Sequence, residues 1–226
     1  LEAKPLPVEL PLRFPIQDVY KFDERRILAG RIESGRLSVG DTLLFSPTNA
    51  AARVKSIEAW AVDGPVMSAS AGQSIGITLD DQLFVERGHV ASHRADPPVE
   101  TNVFRARIFW LGRAPLEVGR RYKLKLATME HTVEVQAIER VIDVADLSQR
   151  PADRIERNEV GEIILRARAK LAVDPFVDNP RLGRFVLIDG YDMAGGGLVS
   201  MEGFPNQRSR GEPTSQNITA VEHRVT

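Results

Sequence analysis

The sequence predicts an all-β protein built from two antiparallel β-barrel domains, and three observations carry this prediction. Several segments alternate apolar and charged residues with a period of two, many short strand-like segments are separated by turn residues, and no segment has a convincing helical pattern. A period of two is typical of antiparallel strands that turn one face to a core and the other to water. Many short strands between turns favour a barrel or a sandwich.

Glycines recur at regular intervals in one stretch of the first half of the chain. The stretch GRIESGRLSVGD places Gly30, Gly35 and Gly40 five residues apart among strand-forming residues. Glycine permits backbone angles and close approaches that a side chain would forbid. We expect residues 31–34 to complete a strand, and the next two glycines to form a tight hairpin and then a corner, as a small closed barrel requires.

A second cluster of glycines and strand formers, SAGQSIGITLDDQLFVERGHVAS, covers residues 70–92. It predicts a strand from Ser74 to Leu79, then a loop, then a closing strand. His89 and His93 have the i,i+4 spacing of some metal sites, but that spacing requires a helix. On a strand the two side chains share a face and lie well apart, so we favour no zinc site here. His131, further along, is expected at a solvent-facing turn.

The second half shows the alternation most clearly. In TNVFRARIFW the apolar residues share one face and the arginines the other, and both RYKLKL and IILRARAKLAV repeat this arrangement. The segment DVADLSQRPADRIERNE is the best candidate for a helix, but Pro151 interrupts it and we interpret it as a loop. The residues predicted to face the core are Phe104, Ala106, Ile108, Trp110, Tyr122, Leu124, Leu126, Leu165, Ala167, Ala169 and Leu171.

The stretch HRADPPVETN, residues 93–102, predicts a domain boundary. Pro97-Pro98 cannot continue a β ladder and holds the chain extended. The last part of the chain is polar and rich in Pro, Gly and Ser, which is typical of a linker. We therefore expect four parts: a linker over 1–10, a barrel over 11–96, a barrel over 97–203 and a linker over 204–226.

Composition argues against several classes of function. The 226 residues carry a net charge of −1, so no overall field draws the chain to nucleic acid or to a membrane surface. No apolar run approaches the roughly 20 residues that a membrane-spanning helix needs. The absence of cysteine removes disulfides, thiolate metal ligands and cysteine nucleophiles, and it fits a reducing cytoplasm.

Four segments of the first half, taken in order, carry a resemblance. They are FPIQDVYKF, LAGRIESGRLSVGDTLLFSP, AGQSIGITL and VERGHVAS. Their shared features are G-R-[IV]-x-x-G, V-G-D, A-G-x-x-[IV]-G and a later R-G. In this order they resemble the second domain of translation-factor GTPases of the elongation factor Tu type. The later segment GRFVLIDGYDMAGGGLVS resembles the closing hairpin of the third domain in the same superfamily.

Within that superfamily, residues 10–203 resemble the GTP-binding large subunit of bacterial ATP sulfurylase (sulfate adenylyltransferase). The resemblance rests on LRFPIQDVYKFDERRILAGRIESG, on FWLGRAPLEVGRRYKLKLATMEHTVEVQAIERVIDVADL and on DPFVDNPRLGRFVLIDGYDMAGGGLV. It implies two barrels of the elongation factor Tu domain 2 and domain 3 type. It also implies that they are the non-catalytic part of a cytoplasmic enzyme that activates sulfate to adenylylsulfate.

The resemblance further implies partners and cofactors. It implies a GTPase domain before residue 1 and a small subunit that performs the adenylylation. The likeness of SQNITAVEHRVT to a junction in bifunctional forms implies an adenylylsulfate kinase domain after residue 226. The parent enzyme would use GTP, ATP and Mg²⁺. This chain has neither the G-x-x-x-x-G-K-[ST] phosphate loop nor the N-K-x-D guanine motif, so we assign it no catalytic residue, cofactor or metal.

Six charged residues are candidates for contacts between domains or with a partner. They are Arg31, Glu33, Arg36, Asp80, Asp81 and Glu86. The first three surround the predicted hairpin and the last three lie in the loop before the closing strand, so the choice rests on topology. By the resemblance, the GTPase domain would repack against the first barrel with nucleotide state, and the barrels would carry the change to the small subunit. Such coupling requires a docking free energy that differs between the two states.

Two other functions remain open at this point. Barrels of a translation factor would hold aminoacyl-tRNA, and salt-dependent RNA binding would identify them. Against this stand the near-neutral charge and the fact that a solvated strand face must be polar in any case. An independent enzyme would need a pocket with convergent titratable groups, and the sequence offers no such constellation. The basic strand positions are Arg105, Arg107, Lys123, Lys125, Arg166, Arg168 and Lys170.

The cluster of Gly195, Gly196 and Gly197 could form a phosphate-binding nest of backbone N–H groups. A helix after such a nest would add its dipole, and no helical segment follows. We therefore interpret the three glycines as a hairpin turn and a closely packed strand.

Overall fold

The computed structural model describes residues 5–22, 25–60 and 63–208. Seventeen strands and no helix are formed within these residues, so none of the described segments is a helix that could cross a membrane. The strands divide into two barrels. This confirms the prediction of an all-β protein with two antiparallel barrels.

The first barrel closes through the pairing order β1, β2, β7, β5, β4, β8 and back to β1, and the short strands β3 and β6 pair with each other beside it. Its core is a cluster of buried side chains that includes Phe14, Leu43, Phe45 and Ile77. The eight strands are β1 (Phe14–Phe22), β2 (Arg25–Arg31), β3 (Arg36–Ser38), β4 (Thr42–Ser46), β5 (Ala50–Glu58), β6 (Ser68–Ser70), β7 (Ser74–Leu79) and β8 (Val90–His93).

The nine remaining strands are β9 (Val99–Trp110), β10 (Leu116–Glu117), β11 (Arg121–Leu126), β12 (Met129–Ile142), β13 (Gln149–Arg150), β14 (Arg154–Ile155), β15 (Val160–Val173), β16 (Arg184–Asp189) and β17 (Asp192–Ser200). The second barrel has the order β11, β16, β17, β9, β15 and β12, and the pairing of β12 with β11 closes it. β13 extends the sheet beside β12, and β10 pairs with β14. The segment interpreted as a loop around Pro151 contains only β13, β14 and turns.

The predicted core faces of the second barrel are buried, with one exception. Phe104, Ala106, Ile108 and Trp110 are at most 1% exposed. Ala169 was predicted to face the core, and this prediction is wrong because the residue is exposed. The register between β15 and β9 shifts between Arg166 and Leu171, so the simple alternation along β15 is broken at this point.

The predicted tight hairpin at Gly35 is also wrong. β2 ends at Arg31, and it pairs with β1 and β7 rather than with β3, which pairs with β6. The segment between β2 and β3 crosses back to the start of β1. There Arg13 N donates to the carbonyl of Ser34, and Glu33 N donates to the carbonyl of Arg13. Burial of Ile32 in the core holds this path. Gly35 has a φ of +76°, and a Cβ there would lie 2.6 Å from the backbone of Leu12.

Candidate interaction surfaces

The two barrels meet along a seam, which we define as the contacts between residues 11–93 and residues 96–208. At its centre Arg13, the residue before β1, pairs with Asp174, the residue after β15. The Arg13 Nε donates to Asp174 Oδ2 at 2.7 Å and its Nη2 donates to Oδ1 at 2.9 Å. The two residues are 5% and 4% exposed. Arg13 Nη1 also donates to the carbonyl oxygens of Leu12 and Asp96.

This pair has the fork geometry in which an arginine makes its strongest hydrogen bonds to a carboxylate. Taking both charges out of water is costly, and the mutual pairing together with the two carbonyl acceptors offsets that cost. Loss of either partner would leave a buried charge without its counter-ion. The pair therefore fixes the two barrels in one relative orientation.

A second contact of the seam joins the crossover segment to the loop after β15. Asn179 Nδ2 donates to Ser34 Oγ at 3.0 Å, and Ser34 Oγ donates to the carbonyl of Pro11 at 2.7 Å. Beside them Arg181 Nη1 lies 2.9 Å from Glu33 Oε2. Glu33 is one of the six predicted contact residues, and the structure places it on the boundary between the barrels.

A third contact joins the turn before β8 to the start of β12. A Cβ at Gly88 would lie 3.2 Å from the Cα of Met129, so the two backbones approach closely. Burial lowers the pKa of His89, which is 7% exposed. The charge of Glu86 acts to raise this pKa, and the nearby His131 lowers it further. Burial also lowers the pKa of His131. His131 lies within β12 and is half-buried, so the expectation of a solvent-facing turn is wrong.

Residues 206–208 form a fourth contact, which we call the strap. Arg208 donates to Ser46 Oγ at 2.8 Å and to the carbonyl of Pro98 at 2.7 Å, and it also contacts Asn49. Its guanidinium lies 2.8 Å from the carboxylate of Glu100, which is 0% exposed. Asn49 Nδ2 donates to the other oxygen of that carboxylate. Burial lowers the pKa of Arg208 and the charge of Glu100 opposes this.

The strap lies within the segment predicted as a linker over 204–226. Gln207 N donates to the carbonyl of Glu100, and Lys170 Nζ donates to the carbonyl of Gln207. The first residues of that segment are thus packed on both barrels. Its residues 209–226 lie outside the described part of the chain.

The other predicted contact residues lie apart from one another. Glu86 is on the seam beside His89. Arg36 pairs with the exposed Glu9 at 2.8 Å, and Arg31 is exposed at the end of β2. Asp80 and Asp81 are exposed at the rim of a pocket of about 420 Å³. The six residues therefore do not form one cluster.

The pocket beside Asp80 and Asp81 lies at one end of the first barrel. Leucine side chains form its apolar part, and its rim carries charges of both signs. The Arg26 guanidinium donates to the carbonyl oxygens of Leu83 and Val85 and so ties the loop after β7 to β2. Among the described residues, no group of three or more His, Asp or Glu side chains could hold a metal ion.

The basic face of the second barrel is largely neutralised by its own carboxylates. Arg105 makes two hydrogen bonds to Glu139, at 2.6 and 2.8 Å. Glu162 accepts hydrogen bonds from Arg107 and Arg140. Burial acts to raise the pKa of Glu162, but the hydrogen bonds from the two arginines outweigh it, and the pKa is lowered. Ion pairs within one face weaken the field that an RNA backbone would meet.

The sequence analysis did not identify most residues of the seam. Arg13, Glu100, Asp174, Asn179 and Arg208 were not among the candidates. Arg13 alternates with the core residues Leu12 and Phe14, so a period of two predicts only that it faces away from the core of the first barrel. Its partner is 161 positions away, so no local pattern could identify it.

Residues 103–200 match the family model described as GTP-eEF1A C-terminal domain-like. The chain is 33% identical over 195 residues to the bifunctional enzyme NodQ of Rhizobium sp. (strain N33), which covers 85% of this chain and 30% of that protein. It is 34% identical over 180 residues to sulfate adenylyltransferase subunit 1 of Aeromonas hydrophila, and this match covers 79% of this chain and 38% of that protein. It is 33% identical over 190 residues to the bifunctional enzyme CysN/CysC of Xylella fastidiosa, and this match covers 84% of this chain and 30% of that protein.

Among solved structures, sup35 complexed with GDP is similar in fold, with a TM-score of 0.78 and 24% sequence identity. The match covers 85% of this chain and 47% of that one. The chain spans about a third of the length of the curated relatives that it matches, at 30% to 38%.

Proposed function

We propose that the two barrels form the non-catalytic body of a GTP-regulated sulfate adenylyltransferase large subunit. This proposal starts from two similarities: residues 103–200 match the GTP-eEF1A C-terminal domain-like model, and the chain resembles sulfate adenylyltransferase subunit 1. In this role they dock a GTPase domain on one side and the catalytic small subunit on the other. The parent enzyme activates sulfate to adenylylsulfate.

The observation that carries the proposal is the extent of the similarity to sulfate adenylyltransferase subunit 1. The match extends over 180 residues at 34% identity, which is longer than either barrel alone. It therefore includes parts of both barrels. The likeness to the bifunctional enzymes has a similar extent, so the proposal covers a parent with or without a second enzyme domain after residue 226.

The seam supports a mechanical role. Because Arg13 and Asp174 are paired and buried, a displacement of one barrel carries the other with it. A GTPase domain that packs differently in its two nucleotide states would move both barrels and change the docking of the small subunit. This coupling is limited by the difference in docking free energy between those states.

GTP, ATP and Mg²⁺ belong to other parts of the parent enzyme in this proposal. The chain lacks a phosphate-binding loop, and its described residues offer no group of three metal-ligating side chains. Its residues contribute positioning and not chemistry. We expect the isolated chain to hydrolyse no GTP and to make no adenylylsulfate.

The test is a calorimetric titration of the 226-residue chain with a sulfate adenylyltransferase small subunit, beside a tRNA titration in the same buffer. We expect saturable binding to the subunit and none to tRNA. Binding to tRNA that weakens steeply with salt would instead support tRNA-binding barrels of a translation-type GTPase. Binding to neither would contradict the docking role.

A further inference from the structure

The outer face of the second barrel has a gap in its row of side chains. β17 lies between β9 and β16, and Gly196 pairs with Phe109 on one side and with Val186 on the other. Phe109 is 42% exposed, and Val186 is half-buried on the same outer face. Neighbouring strands are about 4.8 Å apart, so these two side chains stand roughly 10 Å apart with no side chain between them. We call this gap the slot.

Two of the three successive glycines in β17 are required by packing inside the barrel. A Cβ at Gly195 would lie 2.9 Å from Trp110 Cε3, and a Cβ at Gly197 would lie 2.3 Å from Phe185 Cζ. At Gly196 a Cβ would meet nothing within 4 Å, and its φ is outside the left-handed region. Neither packing nor backbone conformation therefore requires glycine at position 196.

A glycine in the interior of a strand weakens that strand, and it often marks a place where a ligand or another chain approaches closely. Gly196 and Val186 of the slot also line an open groove of about 380 Å³. The side chains of Val186 and Leu198 provide its apolar lining on the outer face. Leu198 is 36% exposed, so apolar surface continues along β17 beyond the slot. The groove can take one apolar side chain from another molecule.

Two basic residues line the groove on its β11 and β16 side. Lys125 stands beside Val186 on the next strand, and Arg184 stands beside Leu198. Lys125 shares the single carboxylate of Glu130 with Lys123. Arg184 has no ion-pair partner among the residues that the structure describes. The excess positive charge is complementary to carboxylates on a partner.

We propose that the slot is the docking site for an acidic segment of a partner protein. One apolar side chain of this segment lies over Gly196 between Phe109 and Val186, and flanking carboxylates pair with Lys125 and Arg184. The partner is the small subunit of sulfate adenylyltransferase, so the proposal rests on the proposed function and assigns a surface to it. Filling the gap from within the chain removes the space that the partner occupies.

The experiment measures binding of the small subunit to the whole 226-residue chain and to three variants. Gly196→Val fills the slot, Arg184→Glu reverses the charge beside it, and Arg168→Glu reverses an exposed charge on β15 as the matched control. We expect the first two to weaken binding by about tenfold or more and the control to leave it within about twofold. Circular dichroism and the melting temperature establish that each variant is folded.

The outcomes separate this proposal from the proposed function. Weaker binding of Gly196→Val and Arg184→Glu alone supports the slot. If the original chain binds the subunit and both variants bind equally well, the slot proposal is overturned and the docking role stands. If the original chain does not bind, both proposals are overturned. Should Gly196→Val fail to fold, its glycine has a structural role, which also counts against the slot.

Discussion

The seam and the slot lie on the same chain and are built in opposite ways. The seam buries charged groups, since Arg13 and Asp174 are 5% and 4% exposed and make two hydrogen bonds to each other. The slot exposes apolar groups, with Phe109 at 42% and Leu198 at 36%, around a glycine that has no packing role. A simple rule of apolar inside and charged outside describes neither surface.

The difference separates a contact within the chain from a contact with a partner. Two barrels on one chain meet at a high effective concentration, so their contact needs little apolar area to form. Buried polar pairs then fix the geometry, because any other arrangement leaves a charge without its partner. A separate partner protein must supply its affinity largely by burying apolar surface against a few anchor residues.

The largest effect is expected from Arg13→Ala. It leaves the Asp174 carboxylate buried without its counter-ion, which costs about 3–5 kcal/mol of unfolding free energy. Urea unfolding measures the loss. The matched control is Arg36→Ala, because Arg36 and Glu9 form an exposed pair, and such pairs contribute about 1 kcal/mol or less.

Equal losses in the two variants would contradict the contrast between seam and surface. A double variant, Arg13→Met with Asp174→Leu, sharpens the test. Replacing both charges by apolar side chains of similar size removes the unpaired charge, so we expect it to be more stable than Arg13→Ala. A double variant that is as unstable as the single one would show that the charges themselves are required.

A smaller loss is expected from Arg208→Ala, which removes the strap's contact with Glu100. The Glu100 carboxylate is fully buried and would keep the Asn49 hydrogen bond, so we expect a cost of roughly 2–3 kcal/mol. Hydrogen exchange should become faster around residues 46–49 and 98–100. The control Arg168→Ala changes an exposed residue and should leave this exchange unchanged.

Alanine substitutions at two glycines of β17 are expected to change stability in opposite directions. Gly197→Ala places a Cβ within 2.3 Å of the Phe185 ring, and overpacking of this kind costs about 1–3 kcal/mol. Gly196→Ala adds a methyl group in open space and should stabilise the strand by roughly 0.5–1 kcal/mol. Calorimetric melting of both variants measures the difference. A destabilised Gly196→Ala would remove the basis of the slot.

The smallest effect is expected from His89 on the pH dependence of stability. Burial lowers the pKa of this buried imidazole below its usual value of 6.5, so the unfolded chain binds more protons than the native one. The contribution of neutral His89 to the free energy of unfolding is therefore fully present above pH 6.5. It is lost as the pH falls below 6.5 towards the native pKa.

Urea unfolding at about pH 7.5 and about pH 5.5 measures this loss. The variant His89→Gln cannot take up the proton, so its loss between the two values should be smaller than that of the original chain. His131→Gln should act in the same direction, because burial also lowers the pKa of His131. An unchanged loss in both variants would contradict burial of these two imidazoles as the cause of the pH dependence.

The sequence predicted what depends on local pattern. The buried faces of β9 and β11 follow from alternation over a few residues, and both predictions are confirmed. The wrong predictions depend on pairing between distant strands. Ala169 is exposed because β15 shifts its register against β9, and the segment after Gly30 crosses over because β2 pairs with β7.

The candidate surfaces were harder to predict than the fold. The cluster of three glycines was visible in the sequence, but the pattern does not tell which glycine faces outward. That depends on Trp110 and Phe185, which fill the space behind Gly195 and Gly197. The seam pairs join residues on different barrels, and only the assembled fold brings them together.

The long sequence separations across the seam have a consequence for the order of folding. Arg13 and Asp174 are 161 positions apart, and Ser34 and Asn179 are 145 apart. During synthesis every strand of the first barrel leaves the ribosome before Asp174 is made. The Arg13 charge therefore stays exposed to solvent until its partner is available. Contacts of such high separation can form only after the entropy cost of closing a long loop is met. The native orientation of the barrels is therefore established only after Asp174 has been made, when every strand of the first barrel is already available to fold.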